Sequence, residues 1–155
     1  MRALGDQLGI KAPSLYKHFI SKDALRAALA GTALAESGVG LHSVVDAGGG
    51  VVELLDAYRQ QAHANPHLYR LATTGRLPRA DLPAGLEEWS GAPFFLVTGE
   101  DPHLAQALWS LAHGMTILEL DQRYPSGSAP EESWQAAADL FTTRLDRHSG
   151  AHPDA

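Results

Sequence analysis

The sequence of 155 residues contains no cysteine, and that absence excludes a disulfide frame, a thiolate zinc site and a cysteine nucleophile. Long apolar runs are also missing: nothing approaches the roughly 18 residues of a membrane span. Residues 1 to 6, MRALGD, lack the charged-then-apolar build of a signal peptide. Lysine is scarce, with three in all, and no convincing strand-type alternation occurs. No Gly-x-Ser-x-Gly, phosphate-binding loop or dinucleotide fingerprint is found, so the chain reads as a non-enzyme without cofactor. The absences together predict a soluble, cytoplasmic protein. What is present, 45% hydrophobic and 19% charged, suffices for one core of domain size. Abundant alanine and a preference for arginine over lysine suggest a GC-rich bacterial source.

The three lysines, Lys11, Lys17 and Lys22, all fall within LGIKAPSLYKHFISKDAL, residues 8 to 25. Residues 1 to 26 carry a net charge of +3 and the remainder −9. A basic head on an acidic body suits a small nucleic-acid-binding module, because phosphate contacts need cations while the rest must avoid non-specific adhesion. Charge alone leaves ordinary surface variation open as the alternative.

Apolar residues recur at helical spacing almost throughout, which predicts an all-α fold. A short helix over 2–8 stops at Gly9, a second begins around Pro13, and a third is capped by Ser21 and runs toward Gly38. The glycine-rich stretch from Gly38 to Gly50 reads as a flexible connection. The expected division is a head over 1–38, a helical body over 39–148 and a flexible tail over 149–155. In the body, Val51 to Ala62 form one helix, Asn65-Pro66 end it and open the next, and only a short helix, 81–89, fits the Gly/Pro-punctuated region 75–100. Asp101-Pro102 open a long apolar helix ending near Tyr124-Pro125, and Ser128 with Glu131 form a capping-box pattern for the last helix.

Two short helices around a tight glycine turn make a helix-turn-helix, with Leu4, Leu8, Leu15 and Phe19 as its small core. The second helix would lie in the major groove, presenting Lys11, Ala12, Pro13, Ser14, Tyr16, Lys17 and His18, with Lys22 clamping a phosphate. Tyr16 can equally serve as a staple of the head, and His18 as an exposed or core-edge histidine.

The stretch LGDQLGIKAPSLYKHFISKDALRAAL resembles the DNA-binding head of the TetR family of bacterial transcriptional regulators, above all in its LGI…SLY.HF..K..L core. A second stretch, LWSLAHGMTILELDQRYP, is similar to the Trp-x-x-x-His-Gly segment of one TetR-type ligand-binding domain, with Trp109, His113 and Gly114 in the matching places. The resemblance implies a homodimer that binds double-stranded operator DNA and is released by a small molecule. It also implies some thirty residues ahead of this point, including a first helix that packs across the helix-turn-helix. Met1 falls inside what would be the second helix, so either the start codon is placed too far downstream or this form lacks part of its head. Without that first helix, two or three apolar side chains stay half exposed at a cost of several kcal/mol, at about 25 cal/mol per Å², which predicts weak or absent DNA binding. The alternative function is a ligand-binding and dimerisation protein that lost DNA binding with its first helix.

In the body, Tyr58, Tyr69, Trp89, Phe94, Phe95, Trp109, His113 and Met115 are the candidate ligand contacts, with His113 as polar anchor or else as a core histidine bonded to a backbone carbonyl. The helix from 102 to 124 is apolar on more than one face and needs neighbours on two sides. Leu104, Leu108, Leu118, Trp134, Phe141 and Leu145 are the expected dimer contacts, unless that helix is the centre of a monomer. His63 and His67 have metal-like spacing, but Asn65-Pro66 breaks the helix between them, so no metal site is expected.

Overall fold

The computed structural model of the chain describes Gly9, Ser14 and residues 18 to 149. The expected helix over 2–8 lies outside the described residues, as do Lys11, Ala12, Pro13, Tyr16 and Lys17. Gly9 holds a φ of 66°, the left-handed backbone expected where a helix stops. Among the described residues there are six α-helices of eight residues or more and no strand, the all-α class that the periodicity predicts. They are α1 (Lys22–Asp46), α2 (Val51–Ala64), α3 (Pro66–Thr73), α4 (Leu86–Val97), α5 (Pro102–Leu120) and α6 (Pro130–Ser149), with a 3-10 turn at Arg79–Asp81 before α4. No described helix is long and apolar enough to cross a membrane.

The start of α1 follows from its sequence. Ser21 is extended, its hydroxyl accepts from the Ala24 N–H at 3.0 Å, and Asp23 sits at the positive end of the dipole. Its end does not. Instead of loosening at Gly38, α1 runs 25 residues to Asp46, about 37 Å at 1.5 Å per residue. Only residues 47 to 50 form the turn into α2. The glycines serve close packing rather than flexibility: a Cβ on Gly38 would lie 2.3 Å from the Trp89 ring, and one on Gly40 would lie 1.8 Å from Gln61 Nε2.

The region 75–100 also departs from expectation, because α4 occupies 86 to 97 and contains Pro93. A proline inside a helix frees the carbonyl four residues earlier, here that of Trp89. His42 Nε2 donates to that carbonyl at 2.9 Å, and the His42 ring stacks on the Trp89 indole at 4.8 Å. The helix therefore tolerates its proline through a side chain of α1, a long-range contact that local composition does not reveal. At the other termini, α5 starts where Asp101 caps the N–H groups of His103 and Leu104, and it ends at Leu120, short of Tyr124. The Ser128–Glu131 capping box does not form, because α6 starts at Pro130 and Glu131 turns to Arg59 at 3.0 Å.

The core lies where α2 meets α5 and α6, around Leu54, Leu55, Leu108, Ala112, Trp134 and Ala138. One carboxylate pins these helices together. Glu119 of α5 accepts from Arg59 Nε and Nη2 at 2.9 and 2.7 Å, from His63 Nε2 at 2.8 Å and from Trp134 Nε1 at 3.1 Å. Burial alone would raise the Glu119 pKa, but the bonds from Arg59, His63 and Trp134 hold it below the usual carboxylate value.

Candidate functional site

Helices α1 to α5 and the segment after α3 surround a cavity of about 890 Å³, near the upper end of the range for small-molecule sites. Its walls are mostly apolar: Leu34 and Leu41 from α1, Leu68 from α3, Leu77 from the following segment and Phe94 from α4. The charged lining residues, Glu36, Arg76, Arg79 and Glu87, stand at the rim, where Arg79 grips Glu87 through two bonds of 2.6 Å. Gln61 adds an amide to the wall, its Oε1 buried without a hydrogen-bond partner.

Polar groups from three helices converge beside this apolar wall. Tyr58 of α2 reaches the hydroxyl of Tyr69 of α3 at 2.9 Å, and the Tyr69 hydroxyl reaches His113 Nδ1 of α5 at 2.7 Å. The rings support the arrangement: Tyr58 meets Tyr69 and Phe94 edge-on at 5.9 and 5.6 Å, and His113 stacks on Trp109 at 5.9 Å. Burial pushes both phenols above the ordinary tyrosine value and pushes His113 down, so the three groups form a neutral chain at neutral pH.

Of the ligand contacts expected from sequence, Tyr58, Tyr69, Phe94 and Trp109 line the cavity, and His113 stands one hydrogen bond behind them. His113 thus bonds a tyrosine hydroxyl instead of a backbone carbonyl. Three others lie elsewhere: Trp89 packs against Gly38 and His42, Phe95 faces outward, and Met115 is buried in the core. Sequence reasoning missed Leu34, Leu41, Gln61 and Leu68. The signal for Leu34 and Leu41 was the stripe Ala27, Ala30, Leu34 and Leu41 at helical spacing, cut short after Leu34 by reading 38 to 50 as a linker.

On the expected partner-facing helices, Leu108 and Trp134 are sealed inside the subunit's own core and have no surface to offer a second copy. Leu104, Phe141 and Leu145 are half-buried. Leu118 stays 41% exposed, with Trp109 at 47% and Leu140, not anticipated from sequence, at 70%. In the head, Ser14 and His18 are helical and exposed, and exposed Lys22 opens α1. His63 is held by Glu119 beyond the end of its helix from His67.

Comparison with known proteins agrees with this architecture. A family profile described as "Tetracyclin repressor-like, C-terminal domain" matches residues 51–141, and one described as "Bacterial regulatory proteins, tetR family" matches residues 1–29. No curated protein matches the chain. A crystal structure of SCO4313, a protein described as regulatory, is similar with a TM-score of 0.72 at 20% identity, over 90% of this chain and 83% of that one. At that identity the likeness speaks for the fold alone. With one profile spanning more than half of its length and a second on its basic head, this chain belongs to the TetR family of bacterial transcriptional regulators.

Proposed function

We propose that the protein is a homodimeric repressor that leaves its operator DNA when a small molecule fills the cavity. The observation that carries this reading is the path of α1. One unbroken helix begins at Lys22, beside the basic head, and further along lines the cavity with Leu34 and Leu41. A molecule between α1 and α3 that fits one angle of this helix better than another shifts the head accordingly, since a ligand biases only states that it binds unequally. In a dimer, the recognition helices must match half-sites about 34 Å apart or a multiple of that spacing, so a small tilt over about 37 Å of lever is enough to break register. The second copy would cover Trp109, Leu118 and Leu140. Ser14, Tyr16 and Lys17 would meet base edges and phosphates, Lys22 would clamp a phosphate, and Lys11 and His18 would stand beside them.

Selection from a pool of random duplexes tests the DNA half, run in parallel on the protein and on its Lys17→Ala variant. The expected result is a two-fold symmetric motif, bound more weakly by the variant. Enrichment of no motif overturns the reading.

A further inference from the structure

We propose that the effector is a neutral amphiphile whose hydroxyl or carbonyl group docks on the Tyr58 hydroxyl, and that the Tyr58–Tyr69–His113 chain passes the donor or acceptor character of that group to α5. This deepens the ligand-binding reading of the cavity and rests on it.

The bonding capacity of the three groups carries the inference. A phenol has one proton to donate and lone pairs to accept with, and a neutral imidazole donates from one nitrogen and accepts at the other. The chain therefore has two orders. In the first, Tyr58 donates to Tyr69 and Tyr69 donates to His113 Nδ1, which leaves the Tyr58 oxygen, already facing the Trp109 indole N–H, one lone pair to accept with and puts the histidine proton on Nε2. In the second, His113 Nδ1 donates to Tyr69 and Tyr69 donates to Tyr58, which leaves the Tyr58 proton free to donate and makes His113 Nε2 an acceptor. The contacts of 2.9 and 2.7 Å suit both. A ligand donor at Tyr58 selects the first order and a ligand carbonyl selects the second. The exchange appears on α5 as a donor-to-acceptor change at His113 Nε2, beside the exposed Trp109 on which His113 stacks.

Charge and shape narrow the ligand. Tyr58 is buried, and the charged lining residues stand at the rim with Arg79 and Glu87 already paired. A carboxylate carried to Tyr58 would lose its hydration without meeting a cation. The leucine and phenylalanine walls call for an apolar body behind the polar group.

Four matched probes test this on the full chain: hexylbenzene, 4-hexylphenol, 4-hexylacetophenone and 4-hexylbenzoate, titrated by tryptophan fluorescence and thermal shift. The phenol and the ketone are expected to bind about tenfold more tightly than the other two, a difference of about 1.4 kcal/mol. Tyr58→Phe should remove that preference and leave hexylbenzene unchanged. In nitrogen-15 spectra of histidine-labelled protein, the ketone should move His113 Nδ1 to its protonated range, and Tyr69→Phe should abolish the movement. Should Tyr58→Phe fail to fold, Tyr58→Leu carries the affinity comparison, and the nitrogen-15 comparison with Tyr69→Phe stands without it. Equal binding of the benzoate, an undiminished preference in the Tyr58 variant, or a ketone-bound His113 whose nitrogens do not change overturns the proposal while leaving the cavity a ligand site. Failure of all four probes to bind overturns both.

Discussion

Replacing Gly38 by alanine should destabilise the protein, although the same change in an open helix stabilises. A helix-interior alanine is favoured over glycine by up to about 1 kcal/mol. At Gly38 the new Cβ would stand 2.3 Å from Trp89 Cζ3 and 2.9 Å from Cε3 and Cη2, against ordinary contacts of 3.4–4 Å, so the indole must retreat by at least an ångström. Trp89 is 40% exposed, but its indole lies on the His42 ring at 4.8 Å, so a retreat breaks that stacking and disturbs the bond from His42 Nε2 to the Trp89 carbonyl. Overpacking of this kind costs about 1–3 kcal/mol, and weakening the His42 bond adds about 1 kcal/mol. After the propensity gain, the net loss is roughly 1–3 kcal/mol, or about 3–10 °C in Tm for a chain of this size. Gly91 in α4 supplies the control, since a Cβ there meets nothing within 4 Å. Gly91→Ala should raise Tm. Far-ultraviolet circular dichroism melts at one fixed protein concentration measure both. If Gly38→Ala melts at or above the wild type, the Trp89 clasp between α1 and α4 is refuted.

Other predictions follow from the same contacts. Glu119→Gln removes the negative charge and replaces one of the two acceptor oxygens with a donor facing Arg59 or His63, and should cost about 2–4 kcal/mol, less than a fully buried pair because Arg59 keeps Glu131 and 22% side-chain exposure; a Tm within a degree of wild type would refute it. Because the folded-state pKa of Glu119 lies below the ordinary 4.5, its contribution is present above about pH 4.5 and is lost as the pH falls through the folded value. Acid-range melts should therefore be flatter for Glu119→Gln. Ser21→Ala removes the cap on Ala24 and should cost about 1 kcal/mol, seen as faster amide exchange in the first turn of α1 and unchanged exchange in α2. In the proposed homodimer, Leu118→Glu with Leu140→Glu should halve the mass in light scattering, from twice 16.5 kDa to 16.5 kDa, without loss of helicity; a wild type already at 16.5 kDa would refute the dimer, and a variant mass that stays doubled would refute the contact at Leu118 and Leu140.

Much of the fold can be read locally. Ser21, Asp101-Pro102 and Asn65-Pro66 mark helix boundaries because a cap or a proline acts within one turn of itself. The spacing Val51, Leu54, Leu55, Tyr58 and Ala62 marks the buried face of α2 because helical periodicity is a property of the segment alone. Misreadings arise where a residue answers to a distant partner. Gly38 and Gly40 look like linker and are close contacts for Trp89 and Gln61, while Pro93 looks like a breaker and is tolerated because His42 takes up the freed carbonyl.

The candidate site divides along the same line. The amino-acid sequence by itself determined the helical class, the basic head and the supply of aromatic and histidine side chains for a binding body, since composition and short-range spacing need no partner to be legible. Only the tertiary structure decided that Tyr58, Tyr69 and His113 join in one chain across three helices, that Trp89 and Met115 lie away from the cavity, and that Leu108 and Trp134 are enclosed in the core while Leu140 stays open. The physical reason is that hydrogen bonding and burial depend on which helix faces meet, and that is settled by close packing between segments far apart in the chain.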